Sequence, residues 1–324
     1  MLKQLKTIFF AMIVANLAMA LAQAQTFPER SVKIVVPYPP GAFNDSLARM
    51  ASEKLTKLWN QSVVVENKPG GNTTIGNNYV AKSPADGYTI LVTPLPFSAL
   101  PALYGAKLPY DALNDFQALI LAGSAQNVLA IRKDLAIKNV GELIAYAKKN
   151  PGKLNYGSTG SGSSNHLSME LLMSMTGIKL THVPYKGSAP AVAALMSGEI
   201  DVLFDNIPNI LAQIQAGTVK AIAVTGLKPA AQLPGIPTVS DTGAPGFEVN
   251  VWFGMQVPAA TPKAIVEQIN RQLAAIFREP DITKRFNDSG VEVVASTPDE
   301  FSRLLKSEVV KWGKVVQEAQ IKLE

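Results

Sequence analysis

The sequence predicts an α/β protein built on two parallel-rich sheets, and three observations predict it. Short apolar β runs alternate with amphipathic helical stretches, the pattern of parallel strands joined by crossover helices. The alternation halts at Asn150-Pro151-Gly152 and begins again, so two α/β units are expected rather than one long sheet. Beyond a Pro- and Gly-rich stretch at 226–246, the chain ends in long helices. These find little room in the second unit and are placed back on the first.

The elements follow in order. Residues 31–37 (SVKIVVP) form a short β run ended by proline, and Tyr38-Pro39-Pro40-Gly41 must be a loop. Asn44 or Asp45 is a plausible N-cap for a helix whose Leu47, Ala51, Leu55 and Leu58 recur at helical spacing. A strand at 62–66, a helix at about 75–82 and a strand at 88–93 complete the first alternation, with a short helix at 98–104 behind them. Two β runs, 117–122 and 127–132, are expected with a break at 123–126. A helix at 140–149 stops at Asn150-Pro151-Gly152. A β run ending at Tyr156, a Gly/Ser/Thr loop at 157–164 and a helix from about Asn165 follow. Then come β 178–183, helix 189–196, β 200–205, helix 207–216, β 219–225 and β 249–257. Thr261-Pro262 opens a helix with Pro at its first position. Thr297-Pro298-Asp299-Glu300 is a capping box opening the last one.

Composition narrows the function. Lys3 and Lys6, an apolar run at 8–21 and Ala22-Gln23-Ala24 make a secretory signal peptide, so residues 1–24 are expected to be removed and the rest to act in the periplasm. The 324-residue chain contains no cysteine, which excludes thiolate catalysis, zinc–thiolate sites and iron–sulfur clusters. Only His166 and His182 are present, so no metal and no cofactor is expected. Removing the two leader lysines lowers the formal charge from +5 to +3. With no basic block, nucleic acid is not an expected partner.

The candidate site is the strand–loop–helix at 154–175. Gly157 to Asn165 has the outer spacing of a Walker loop, but Ser163 stands where its lysine belongs. It lacks the third glycine of the dinucleotide fingerprint and any Gly-x-Ser-x-Gly elbow. What remains is a pocket of backbone N–H groups and hydroxyls at a helix start, suited to a carboxylate. Its candidate ligand residues are Ser158, Thr159, Gly160, Ser161, Ser163, Ser164 and Asn165. His166, in the first helical turn, either donates to the ligand or fills a polar niche. The equivalent place near the N-terminus supplies Gly41, Ala42, Phe43 and Asn44, with Phe43 either covering a ligand body or acting as a buried staple. Thr73 and Thr74 add polar groups. Asp205, closing an apolar strand, either accepts from a ligand donor or caps the following helix. No nucleophile–base–orienter set is found, so no enzyme activity is expected.

Several stretches together carry a resemblance: Pro39-Pro40-Gly41 with Asp45 and Arg49, residues 63–70 (VVVENKPG), 85–89 (ADGYT), 108–111 (LPYD), 150–157 (NPGKLNYG), 182–187 (HVPYKG), 233–238 (LPGIPT) and Trp252-Phe253-Gly254. The chain resembles the substrate-binding proteins of tripartite tricarboxylate transporters, the Bug receptor family. The resemblance implies a two-lobed periplasmic-binding-protein fold of type II, a Venus flytrap with a hinge. Lobe one is expected at 25–123 plus 251–324 and lobe two at 124–250. It implies a monomeric receptor that closes on a small organic carboxylate and delivers it to a two-subunit integral membrane permease. The rival is the same fold acting as a sensor for a membrane histidine kinase. Ala42, where the family usually has a second glycine, and Asn72-Thr73-Thr74, where it has a glycine-rich loop, depart from the pattern. With Phe43 they make an aromatic acid such as a phthalate a candidate beside di- and tricarboxylates.

Overall fold

The computed structural model describes residues 27–321, and the signal-peptide reading lies outside them. The first sheet starts with three parallel strands. β1 (Val32–Val36) lies between β2 (Val63–Asn67) and β3 (Thr89–Pro94), with Val32 opposite Val63 and Lys33 opposite Thr89. The crossovers are α1 (Phe43–Trp59) and α2 (Thr74–Ala81). In α1, Leu47, Ala51 and Leu55 are buried as their spacing requires, whereas Leu58, spaced with them, is exposed in the last turn, and Asn60 in the left-handed region ends the helix. A 3₁₀ turn and the short α3 (Leu100–Tyr104) follow.

One strand then joins the two halves. β4 runs unbroken from Phe116 to Arg132, where the sequence suggests two runs with a break at 123–126. The local Gly and polar residues are overridden because neighbours pair with them from both sides. Gly123 lies opposite Phe253 of β9 (Asn250–Pro258) and Val293 of β10 (Val291–Val293). At Asn127 the partners change to β7 (Val202–Asn206) and β8 (Val219–Val224), both antiparallel. Beyond β7, the parallel β5 (Asn155–Ser158) and β6 (Thr181–Pro184) complete the second sheet. Each sheet thus has a parallel and an antiparallel part, and β4 belongs to both.

The second sheet carries α4 (Val140–Lys149), α5 (Ser164–Thr176), α6 (Ser188–Ser197) and α7 (Ile207–Gln215). The connection from β8 to β9 includes the single-turn α8 (Val239–Thr242), which Thr238 caps. The C-terminal helices return to the first sheet. α9 (Lys263–Phe277) packs on β4 and α1, α10 (Pro280–Asp288) on β10, and α11 (Pro298–Glu318) on β4 and α3. Pro262 occupies the N-cap of α9, one place earlier than the sequence suggests. The capping box of α11 is present: Glu300 N donates to Thr297 Oγ1 at 3.3 Å, and Thr297 N donates to Glu300 Oε2 at 2.8 Å. Caps of this kind contribute about 1 kcal/mol.

The burial pattern positions the site. On one side, a single apolar cluster runs across both sheets, from Val35 and Phe301 to Tyr156 and Phe247. On the other side there are two clusters. One joins α1, α9 and α10 to the first sheet, and the other joins α6 and α7 to the second. The halves are therefore continuous along one side and divided along the other, where helix starts face each other.

Candidate functional site

A cavity of about 620 Å³ occupies that division. Four helix starts line it: Ala42–Asn44 of α1, Ser163–Asn165 of α5, Gly187–Ala189 of α6 and Asn206–Asn209 of α7. The first N–H groups of a helix have no intrahelical acceptor, and each helix start carries roughly half a positive charge. The N-caps of α1, α6 and α7 (Ala42, Gly187 and Asn206) make no side-chain capping bond. The first N–H groups of α1 and α6 are thus not capped by side chains, whereas at α7 Asn206 N is taken by Asp205 Oδ1 and Pro208 has no N–H to offer. Lys186 also lines it, and among the described residues no Asp or Glu does. The lining is therefore electropositive. Phe43, Val251 and Phe253 supply an apolar wall, and Pro39, Pro40, Pro94 and Pro96 also line the cavity.

Each helix start is held by a polar anchor behind it. Asp45 accepts from Gly41 N at 3.3 Å, from Arg49 Nε at 2.8 Å and from Asn67 Nδ2 at 3.0 Å. Burial pushes this carboxyl upward, but those bonds to Arg49, Asn67 and Gly41 outweigh it and hold the group below its ordinary range. Asp45 therefore ties the loop before α1 to β2, and it is Ala42 that holds the N-cap position. Gly41, at φ 103°, makes the turn there that a side chain disfavours.

On the second sheet the anchor is Asp205, which is fully buried. Its Oδ1 accepts from Asn165 Nδ2 at 3.0 Å, Asn206 N at 2.7 Å and Asn209 Nδ2 at 3.3 Å, and its Oδ2 accepts from Ser188 Oγ. Burial raises the Asp205 carboxyl above its usual range, against the pull of these donors. One side chain thereby fixes groups from the starts of α5, α6 and α7.

His166 sits in an aromatic niche. Its Nδ1 accepts from Gly162 N at 3.1 Å, and its ring lies 4.5 Å from that of His182 and 6.3 Å from that of Tyr156. Burial first, and His182 second, push its pKa down to about 3, so the ring is neutral. His182 bonds Ser158 Oγ at 2.6 Å.

The structure brings together eight of the residues singled out from sequence: Gly41, Ala42, Phe43, Asn44, Thr159, Ser163, Ser164 and Asn165 all line the cavity. It does not bring in the others. Ser158 and His166 belong to the niche behind the loop, Asp205 lies beneath the lining, and Gly160 and Ser161 lie on the loop outside it. Phe43 packs against Phe253 and Phe286, at ring separations of 4.7 and 5.3 Å. It is a core staple that also forms part of the wall. Thr73 bonds Asn77 Nδ2 and Thr74 bonds Gly71 O, so neither reaches the cavity. Their loop meets the other half instead: a Cβ at Gly162 would lie 2.8 Å from Asn72 Nδ2 and 2.6 Å from Leu103 Cδ1.

Sequence reasoning missed Lys186, Ser188, Asn206 and Asn209. The signal was available, since β6–α6 and β7–α7 repeat the strand–loop–helix pattern of β5–α5. Gly187 at φ 114° and Pro208 in the first turn of α7 mark the two helix starts.

The model of the tripartite tricarboxylate transporter family receptor matches residues 47–321. The chain belongs to this family. It is 32% identical over 309 residues to the protein BugT of Bordetella pertussis, covering 94% of each chain. Among solved structures, the R. palustris protein Rpa4515 with adipate is 36% identical with a TM-score of 0.86, over 92% of this chain and 100% of that one. The periplasmic binding protein BugD is 35% identical with a TM-score of 0.84 over the same shares. MatC from Rhodopseudomonas palustris with bound malate is 30% identical with a TM-score of 0.83, over 90% of this chain and 100% of that one. The chain is thus a solute-binding receptor of the Bug family with the two-lobed binding-protein fold. No helix among the described residues is long and apolar enough to cross a membrane.

Proposed function

We propose that this Bug-family receptor binds a small organic carboxylate between its lobes and delivers it to a two-subunit membrane permease. The observation that carries the reading is the convergence of four helix starts and Lys186 on one cavity with, among the described residues, no acidic side chain in its lining. Such a lining favours an anion without needing a charged clamp. Relatives captured with adipate and with malate support the same chemistry.

In this reading residues 1–24 direct export and are removed. Lobe one comprises 25–123 with 251–324, and lobe two comprises 124–250. The lobes rotate about β4, near the change of partners at Asn127, and about the connection ahead of β9. The open form captures a carboxylate on the N–H groups of α1. Closure adds those of α5, α6 and α7, and the wall of Phe43 and Phe253 covers the carbon body. Each charge-assisted bond contributes about 1.5–3 kcal/mol when shielded from water. Two or three of them, less the cost of ordering ligand and lobes, leave affinity in about the micromolar range. The ligand pool comprises di- and tricarboxylates and aromatic acids such as phthalate. Receptor binding and release involve no covalent step, so no enzyme activity is assigned.

Calorimetry of the mature protein against C4–C6 dicarboxylates, citrate, benzoate and phthalate tests the reading. At least one acid is expected to bind near micromolar or better, with affinity falling as salt screens the lining. Absence of binding by every acid in the set would refute it.

A further inference from the structure

Resting on the carboxylate reading, we infer that the cavity selects acids that also carry a hydrogen-bond donor, a hydroxyl or an amino group, over unsubstituted acids of the same skeleton. The hydrogen-bond network beneath the lining fixes where the hydrogens of several lining side chains point. Asn165 Nδ2 faces two acceptors, Phe204 O at 2.7 Å and Asp205 Oδ1 at 3.0 Å, which fixes the orientation of the amide. Its Oδ1 must then receive the Thr159 hydroxyl, 2.8 Å away. Thr159 has a single hydrogen. Having given it to Asn165, Thr159 offers the cavity lone pairs alone.

The same holds around Asp205. Ser188 gives its hydrogen to Asp205 Oδ2, and Asn209 gives its amide to Oδ1. Asn206 spends both amide hydrogens, one on Asn127 Oδ1 and one on Ser164 Oγ at 3.1 Å. Asn127 is itself oriented by Ser164 O and Ser168 Oγ, which receive its amide nitrogen. Thr159, Ser188, Asn206 and Asn209 all line the cavity; the first three have given every side-chain hydrogen to the network, and Asn209 keeps one amide hydrogen. The side-chain valences that Thr159, Ser188 and Asn206 have left for a ligand are acceptors.

A cavity lined with main-chain N–H groups and Lys186 attracts carboxylate. The same cavity, with three lining side chains that have only acceptors to offer, is mismatched to a ligand with nothing to donate. An unsubstituted diacid would bring its methylenes against oxygen lone pairs and strip their water without replacing it. A ligand hydroxyl or ammonium replaces that water. Sites built to bond a ligand OH or NH reject the analogue lacking it strongly.

The test is calorimetry on matched pairs differing by one donor: succinate with malate and with aspartate, tricarballylate with citrate, and benzoate with 4-hydroxybenzoate. In the pair containing the tightest ligand, the donor-bearing acid is expected to bind at least tenfold tighter. The hydroxy and amino arms tell which donor fits. The nearly isosteric Thr159→Val variant, checked for an unchanged melting temperature, is expected to narrow that ratio by costing the donor-bearing acid several-fold more than the unsubstituted one. Equal affinities within the pairs overturn the inference while the carboxylate reading stands, and so does a Thr159→Val variant that weakens both members alike. If no acid binds at all, the carboxylate reading falls and takes the inference with it.

Discussion

Replacing Asp205 separates what its charge does from what its shape does. In Asp205→Ala, four donors lose their acceptor at once. Two of them have alternatives: Asn165 Nδ2 keeps Phe204 O, and Ser188, beside the cavity, can turn to water. Asn206 N and Asn209 Nδ2 have no second acceptor among the described residues. Two hydrogen bonds to a charged group, at about 1.5–3 kcal/mol each, give roughly 3–6 kcal/mol. Relief from burying a carboxylate, whose pKa burial already raises, returns part of this, for a net loss of about 3 kcal/mol. At roughly 2 °C per kcal/mol for a chain of this size, the melting temperature should fall by about 6 °C. Asp205→Asn keeps an oxygen for the three N–H donors, so it should cost about 1 kcal/mol or less. Its new amide would then donate to Ser188 and release the serine hydrogen toward the cavity. Thermal and urea denaturation of both variants measure the difference. An Ala variant within 1 °C of the parent would show that Asp205 does not hold the three helix starts. An Asn variant as damaged as Ala would show that the charge, and not the acceptor geometry, is what matters.

Three further outcomes follow from single residues. His166 is neutral when folded, with a pKa of about 3 against an ordinary 6.5. The unfolded chain therefore takes up a proton that the native one refuses, and stability falls as pH drops from about 6.5 toward 3, by at most about 1.4 kcal/mol per pH unit. Urea midpoints of the parent and His166→Gln should diverge across that window, and parallel curves would contradict the assignment. Gly162→Ala sets a methyl against Leu103 and Asn72 at a φ of +81°. Ligand affinity should drop at least tenfold, with loss of the compaction that scattering detects on binding; full compaction in the variant would oppose a role for this contact in closure. Gly254→Ala places its Cβ 2.1 Å from the Phe301 ring. Overpacking of this kind costs about 1–3 kcal/mol, so its melting temperature should drop by several degrees. Adding Phe301→Leu should recover part of that, and no recovery would place the strain elsewhere.

Local patterns made much of the fold legible. The spacing of Leu47, Ala51 and Leu55 marked the buried face of α1, and Thr297 to Glu300 marked the start of α11 to the residue. The break expected at 123–126 was wrong because Gly and polar residues are turn signals only while unpaired. Gly123 is a glycine because β10 and Phe286 press on it: a Cβ there would meet Glu292 O at 2.7 Å. Neither neighbour is near in sequence. β10, three residues long and joined to β4 across more than 160 positions, has no local signature of its own.

The site divides along the same line. The sequence by itself determined that Gly41–Asn44 and Thr159–Asn165 sit where strands give way to helices, because small residues, proline and caps act over a few bonds. It also determined, through two histidines and no cysteine, which chemistries the chain has no side chains to perform. Tertiary structure alone decided which helix starts share a cavity, since that depends on where β4 changes partners. It also decided that Asp205 and His166 lie behind the wall, and that Thr73 and Thr74 lie outside it. Whether Thr159 and Ser188 present hydrogens or lone pairs is a tertiary fact as well. A hydroxyl has one hydrogen, and only the fold shows which acceptor takes it.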